Sequence, residues 1–179
     1  MKWNNKFIYP KSSRSIEDGL RKYLIEGEKL PSVTSVIDFT KSIEDKAALA
    51  NWRERTGVDL ANKIQKDAAK RGGKMHSLLE QYLFGKLNLS LFEKNEEFQK
   101  MAEIIIKQGI EGRLQEIWGV EATLTYPQKY GGTADCLGIF DQKESVIDFK
   151  NSLKLKKIQY AQDWFLQLGA YSLAHNVVY

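Results

Sequence analysis

The chain is predicted to be an α/β domain: a helix, a three-stranded mixed sheet, a second helix and the start of a further strand, behind a helical N-terminal part. Three observations carry this. Apolar residues recur at helical spacing from Asp59 to Gly85 (Leu60, Ile64, Ala68, Met75, Leu79, Leu83) and again over Gln159–His175. Between them, Val120–Tyr126 alternates as a strand does, and Thr133–Phe140 and Ser145–Asn151 carry the β-branched and aromatic residues of strands joined by a polar turn at Asp141–Glu144.

Composition bounds the class of molecule. At 179 residues, 42% apolar and 28% charged, the chain is long enough for one domain with a real core. A net charge of +4 and a pI near 9.0 suit a nucleic-acid partner without requiring one. The single cysteine, Cys136, rules out an intrachain disulfide and a zinc site built on cysteines, so a reducing, cytoplasmic compartment is expected. No apolar run approaches the roughly 18 residues of a membrane span, and Met1–Pro10 lacks the apolar centre of a signal peptide, so no membrane partner is expected.

Taken in order, Pro10 and Pro31 break the first stretch, and Ile16–Gly27 reads as a short helix. Leu30–Ile37 is extended and leads into helix. Ser42 is an N-cap, with Asp45 three residues on, for a helix through Arg55 that Gly57 closes. Gly72-Gly73 interrupts the long helix: either it breaks there or something approaches its backbone closely. Phe92–Trp118 reads as a further helix, with Phe98, Met101, Ile105 and Leu114 inward and Gly109 and Gly112 weakening its end. Asn176–Tyr179 reads as the beginning of a strand. The expected division is an arm over residues 1–58 and a compact core over residues 59–179.

The chemistry concentrates in three charged residues on otherwise apolar strands: Asp135, Asp148 and Lys150. Residues two apart on a strand share a face, so Asp148 and Lys150 stand side by side, and a short hairpin brings Asp135 to them. Two carboxylates and an ammonium are costly to bury unless something occupies them. Mg²⁺ or Mn²⁺ would: such ions take a few carboxylates, leave positions for water and phosphate oxygens, and support phosphodiester hydrolysis. The Phe149 carbonyl adds an oxygen ligand, and Lys150 positions water or stabilises developing charge. Without a metal, the same residues make a plain ion pair.

Gly132–Asp135 (G-x-A-D) and Ile147–Lys150 (I-D-F-K), in this order of elements, resemble the PD-(D/E)xK nuclease superfamily. His76-x-x-x-Glu80 and Gln167-x-x-x-Tyr171 resemble motifs of its RecB-like branch. Leu30–Thr34, Trp52-Arg53 and Ala68–Gly72 followed by His76 look like the mitochondrial genome maintenance exonuclease group and its phage relatives, a likeness over about residues 30 to 175. The resemblance implies a restriction-endonuclease-like core. It also implies His76, Asp135 and Asp148 as metal ligands with Glu80 as a further contact, Lys150 as the catalytic lysine, and Gln167 and Tyr171 as supports of the site. The implied activity is metal-dependent exonucleolytic cutting of single-stranded DNA in replication, repair or recombination, with partners from those processes. Compactness and the lack of a targeting segment make the cytoplasm of a bacterial or phage-infected cell the expected setting. Ala134 replaces the motif's proline, and the chain stops near the fourth core strand. The alternatives are a structure-selective endonuclease, the nuclease part of a larger complex, or a DNA-binding module without turnover. Arg71, Lys74 and Lys154 are the expected phosphate contacts, with Lys63, Lys66, Lys70, Lys156 and Lys157 nearby; each is otherwise a solvated charge.

Overall fold

The computed structural model describes residues 1–88, 96–152, 158 and 161–179. Among these, a mixed sheet lies between helices, and a smaller antiparallel sheet stands against one end of it.

The central hairpin is made by β5 (Leu114–Tyr126) and β6 (Tyr130–Phe140), and β6 turns into β7 (Lys143–Ile147) through Asp141-Gln142 alone. Both turn residues have positive φ (46° and 65°), the twist a two-residue hairpin requires. The turn is therefore tighter than Asp141–Glu144, and β7 ends before Asp148, so Asp148–Asn151 leave the sheet as irregular chain. The fourth strand is β1 (Lys2–Trp3), parallel to β5 at Glu116 and Ile117, which makes the sheet mixed in the order β1-β5-β6-β7. Trp3 fastens this edge by stacking on Phe84 at 5.4 Å and donating its indole N–H to the Leu83 carbonyl.

Two cores flank the sheet. On one face, Met75, Leu79 and Leu83 of α3 (Val58–Leu83) pack with Ala102 of α4 (Glu97–Ile104), Ile106 and Ile117. On the other, Tyr171 and Ala174 of α5 (Gln162–Val178) pack with Trp118, Leu124, Ala134 and Leu137. The long helix is continuous through Gly72-Gly73. A Cβ on Gly72 would lie 2.4 Å from the Asn151 Nδ2, whereas one on Gly73 would meet nothing, so close approach is needed at Gly72 alone.

Further expectations are overturned, among them Val33–Ile37, which is helical rather than extended. Ile16–Gly27 is not helix: β2 (Ser12–Glu17), β3 (Leu20–Ile25) and β4 (Glu28–Pro31) form an antiparallel sheet. Its turns are Asp18-Gly19 (φ 52°, 75°) and Glu26-Gly27 (φ 50°, 86°), both with the paired positive φ of hairpin turns. The arm is thus a sheet followed by α1 (Val33–Thr40) and α2 (Ile43–Thr56), the latter capped by Ser42 and closed by Gly57 as expected. Leu114–Trp118 is strand rather than helix. The α4 backbone widens into a π-helical turn at Ile105–Ile110, Gly112 at φ 74° ends it, and β6 offers Leu114 a partner in Phe140. Asn176–Val178 continues α5 rather than starting a strand. Residues 92–95 of the expected helix lie outside the described residues.

The arm sheet meets the core where β6 has no β7 beside it. Ser32 bridges to Gly131, Thr133 donates to the Tyr23 hydroxyl, and Ser12 and Thr123 share a hydroxyl hydrogen bond at 2.8 Å. Gly131 lets the two meet closely, since a Cβ there would come within 2.7 Å of the Ile25 Cδ1 and 3.2 Å of the Tyr23 Cβ.

Candidate active site

Asp135 sits midway along β6 with both carboxylate oxygens engaged. The His76 Nδ1 lies 3.2 Å from Oδ1, and the Phe149 N–H donates to Oδ2 at 2.5 Å. Just beyond β7, Asp148 pairs with Lys150, which also donates to the Gln167 Oε1 at 3.1 Å. The Gln167 amide donates in turn to Asp148 (3.2 Å) and to the Tyr171 hydroxyl (3.0 Å). Tyr171 is buried, and its ring lies on Gly132 so closely that a Cβ would be 2.4 Å from Cε1. One interlocked set of side chains from α3, β6, the chain after β7 and α5 therefore surrounds two nearly buried carboxylates.

Glu121 of β5 joins them. One ligand atom from each of His76, Glu121 and Asp135 lies within 4.8 Å of the others, a spacing one divalent ion can span. Glu121 has φ 50°, a left-handed conformation that costs a residue with a Cβ roughly 1 kcal/mol or more. The kink has a visible consequence. Val120 and Cys136 pack toward the α3 core, whereas Ala122 and Ala134 pack toward the α5 core. Residues two apart on a regular strand share a face, so both strands change faces between these pairs, at Glu121 and Asp135. The acidic pair occupies the switch.

Electrostatics agree with a surplus of negative charge. Burial, then the charge of Asp135, pushes the Asp148 carboxyl above its ordinary value despite Lys150 and His76. Partial desolvation by the cleft walls, then Asp135 and Glu80, raises Glu121. The hydrogen bond to Asp135 raises His76 against the effect of burial. All three shifts run toward holding a proton: burial acts first and neighbouring carboxylates second on Asp148 and Glu121, and the Asp135 hydrogen bond acts first on His76. The donor set of carboxylates and imidazole suits a divalent cation.

A cleft of about 930 Å³ opens over these groups. His76, Glu80, Asp135, Asp148, Phe149 and Lys150 line it, as do Gln167 and Tyr171, so these residues, distant in sequence, are brought together. Arg71 and Lys74 are not among the cleft-lining residues. Arg71 is largely buried, donating to Asn151 at 3.3 Å and facing Glu97 at 3.6 Å, and the Lys74 ammonium lies 4.6 Å over the Phe98 ring. Lys154, Lys156 and Lys157 lie outside the described residues. The cleft instead presents Arg14 and Arg21 from the arm sheet, neither expected from sequence. Glu121 was missed because a glutamate in an alternating strand looks solvated. The arginines were missed with their hairpin, although Asp-Gly between two alternating runs is its usual sign. Cys136 is the small core residue anticipated, its thiol pushed up to about 12 by burial.

No family model matches the chain. Over 164 residues, 87% of its length, it is 31% identical to mitochondrial genome maintenance exonuclease 1 of Mus musculus. Over the same length it is 29% identical to the proteins of that name from Homo sapiens and Xenopus tropicalis. The chain spans about half of each relative (47%, 46% and 46%). Its likeness is thus to proteins named as exonucleases.

Proposed function

We propose that the chain is a divalent-metal-dependent deoxyribonuclease of the PD-(D/E)xK superfamily and its RecB-like branch, acting on single-stranded DNA from its ends. The observation that carries this reading is the convergence of His76, Glu121 and Asp135 beside the Asp148–Lys150 pair, on the floor of one cleft. Relatives named as exonucleases support it independently.

His76, Glu121, Asp135 and Asp148 would hold the ion, Mg²⁺ or Mn²⁺, with Glu80 at its edge and the Phe149 carbonyl as an added ligand. Such an ion supplies neutralisation of phosphate charge and makes water a better nucleophile at neutral pH. The chain's own contributions follow from its contacts. The Phe149 N–H and His76 fix the orientation of Asp135. Gln167 spans Asp148 and Lys150, so the carboxylate and the ammonium keep one geometry, and Tyr171 holds Gln167 in turn. Lys150, thus restrained, brings positive charge to the phosphate as charge builds on it, or orients the attacking water. Preorganisation of this kind lowers the barrier because no side chain has to reorient during reaction.

The test is hydrolysis of end-labelled linear single-stranded DNA with Mg²⁺, with Mn²⁺ and with EDTA, beside Lys150→Ala. Metal-dependent release of nucleotides that the variant lacks is expected. Circular single-stranded DNA should survive; cutting of the circle would replace the end-directed reading with an endonuclease. Retained DNA binding without cutting in any metal would reduce the protein to a binding module.

A further inference from the structure

The arm sheet reaches the cleft with one face, and its register identifies that face. Ser12 is opposite Ile25, Arg14 opposite Tyr23, and Ile16 opposite Arg21. Directly opposed residues share a face, as do residues two apart. Ser12, Arg14 and Ile16 therefore stand on the same side as Ile25, Tyr23 and Arg21. The near end of this face is anchored to the core by Ser12 on Thr123, Tyr23 on Thr133 and Ile25 over Gly131. The same face continues past the anchors as Arg14, Arg21 and Ile16, the last 76% exposed.

Both arginines are exposed cleft residues. The nearby Glu17 carboxylate is engaged by Lys22 and Lys29, and among the described residues neither Arg14 nor Arg21 has an ion-pair partner. Arg14 acts electrostatically on Glu121, which places its charge within reach of the carboxylate cluster. The backbone of Arg21 is fixed where the arm meets α1: its carbonyl accepts from the Ser32 N–H and the Ser35 hydroxyl, and its N–H donates to Ser35. Diagonal positions on an antiparallel pair are roughly 7–8 Å apart. Two guanidinium forks without ion-pair partners, rising from diagonal positions on one face, suit bidentate binding of phosphates along one strand.

We propose that Arg14 and Arg21 form a phosphate clamp that holds the backbone of a single nucleic-acid strand against the carboxylate floor. The clamp rests on the nuclease reading for its substrate, but its residues lie outside the proposed metal and lysine machinery. It makes the arm sheet, rather than the lysines of α3, the electropositive wall of the cleft.

Binding of a fluorescein-labelled oligothymidylate to the full chain, followed by anisotropy in EDTA and in Ca²⁺ over a salt series, tests it. Arg14→Ala and Arg21→Ala should each weaken binding about tenfold and lower the log–log salt slope by roughly 0.7, the value for one lost phosphate contact on a single strand. Arg14→Lys and Arg21→Lys should keep the slope while losing part of the affinity. Arg55→Ala, which removes an exposed arginine of α2 outside the cleft, should change neither. Cleavage under Mn²⁺ separates this inference from the function it builds on. Unchanged affinity and slope in the double alanine variant overturn the clamp, even if the chain cuts DNA normally. Absence of oligonucleotide binding by the unaltered chain overturns it as well. Weakened binding in a chain that never cuts would uphold the clamp and remove the hydrolase.

Discussion

The floor of the cleft and the arm beside it are built on opposite principles. The floor is packed from beneath: Met75 and Leu79 are wholly enclosed under His76, Asp135 and Asp148 are nearly buried, and side chains of the site bond to one another. The arm is exposed at its outer helix and at the cleft side of its sheet. No residue of α2 is buried, Ile43 is 82% exposed, and Arg53 holds α2 to α3 through Asn62 and Gln65. Its sheet is seated on the core through the buried Tyr23, Ile25 and Leu30, beside hydroxyl contacts and Gly131, and only its far part is exposed. Packing therefore sets the geometry of the reacting groups, whereas the exposed part of the arm sheet carries the charges of Arg14 and Arg21 to the cleft.

The largest effect should come from the floor's chemistry. Lys150→Ala should lower DNA hydrolysis by at least about 10²–10³-fold, the usual cost of removing one preorganised charge-stabilising group, while thermal unfolding stays within a few degrees of the parent. Loss of cutting accompanied by a collapsed melting transition would mean that the lysine is structural.

Packing comes next. Leu79→Ala should cost about 2–5 kcal/mol in denaturant unfolding, and Ile43→Ala less than about 0.5 kcal/mol. Equal losses would erase the distinction between floor and arm. Gly138→Ala should be as severe as the core truncation, because its Cβ would fall 1.9 Å from the Glu116 carbonyl oxygen. Gly73→Ala, into open space on the same helix as His76, should stabilise by roughly 0.5–1 kcal/mol.

A smaller effect concerns pH. His76 and Asp148 both hold their protons more firmly in the folded protein than in the unfolded chain. A raised pKa contributes stability that is fully present below the unfolded value and is lost as pH rises through the folded one. For Asp148 the loss begins above its ordinary 3.8 and for His76 above 6.5, so the chelated protein should lose stability as pH climbs from weakly acid past neutral. His76→Ala should flatten the upper part of this profile. Added Mn²⁺ should stabilise more at pH 8 than at pH 6, because its ligands must shed those protons. A melting temperature independent of pH, with and without Mn²⁺, would contradict the charge balance described for the floor.

Much of the floor was legible beforehand because its signals are local. His76 with Glu80 and Gln167 with Tyr171 each lie within one helical turn, so their spacing assigns a shared side. Asp148-Phe149-Lys150 is contiguous in the chain, although its pairing is made by irregular chain beyond β7 and not by strand alternation. Gly72-Gly73 left open a helix break or a close approach, and Asn151 makes the approach at Gly72. The arm was less legible because its short strands carry serines, lysines and a glutamate between few apolar residues, a pattern that competes poorly with a helical reading until the two Asp/Glu-Gly turns are weighed. Leu114–Trp118 misled for a related reason: a short apolar run fits either period, and its partner strand decides.

The sequence by itself determined the α/β class, the capping of α2 and the identity of the acidic and basic pairs, since these depend on propensity and spacing within one segment. That the long helix runs unbroken through Gly72-Gly73 was decided by the fold. Only the tertiary structure decided that Glu121 meets Asp135, that Arg71 turns to Asn151 and Glu97, and that Arg14 and Arg21 line the cleft. Each of these depends on which strand lies beside which and on a backbone kink at one residue. Such register is set by the packing of distant segments, which no local pattern encodes.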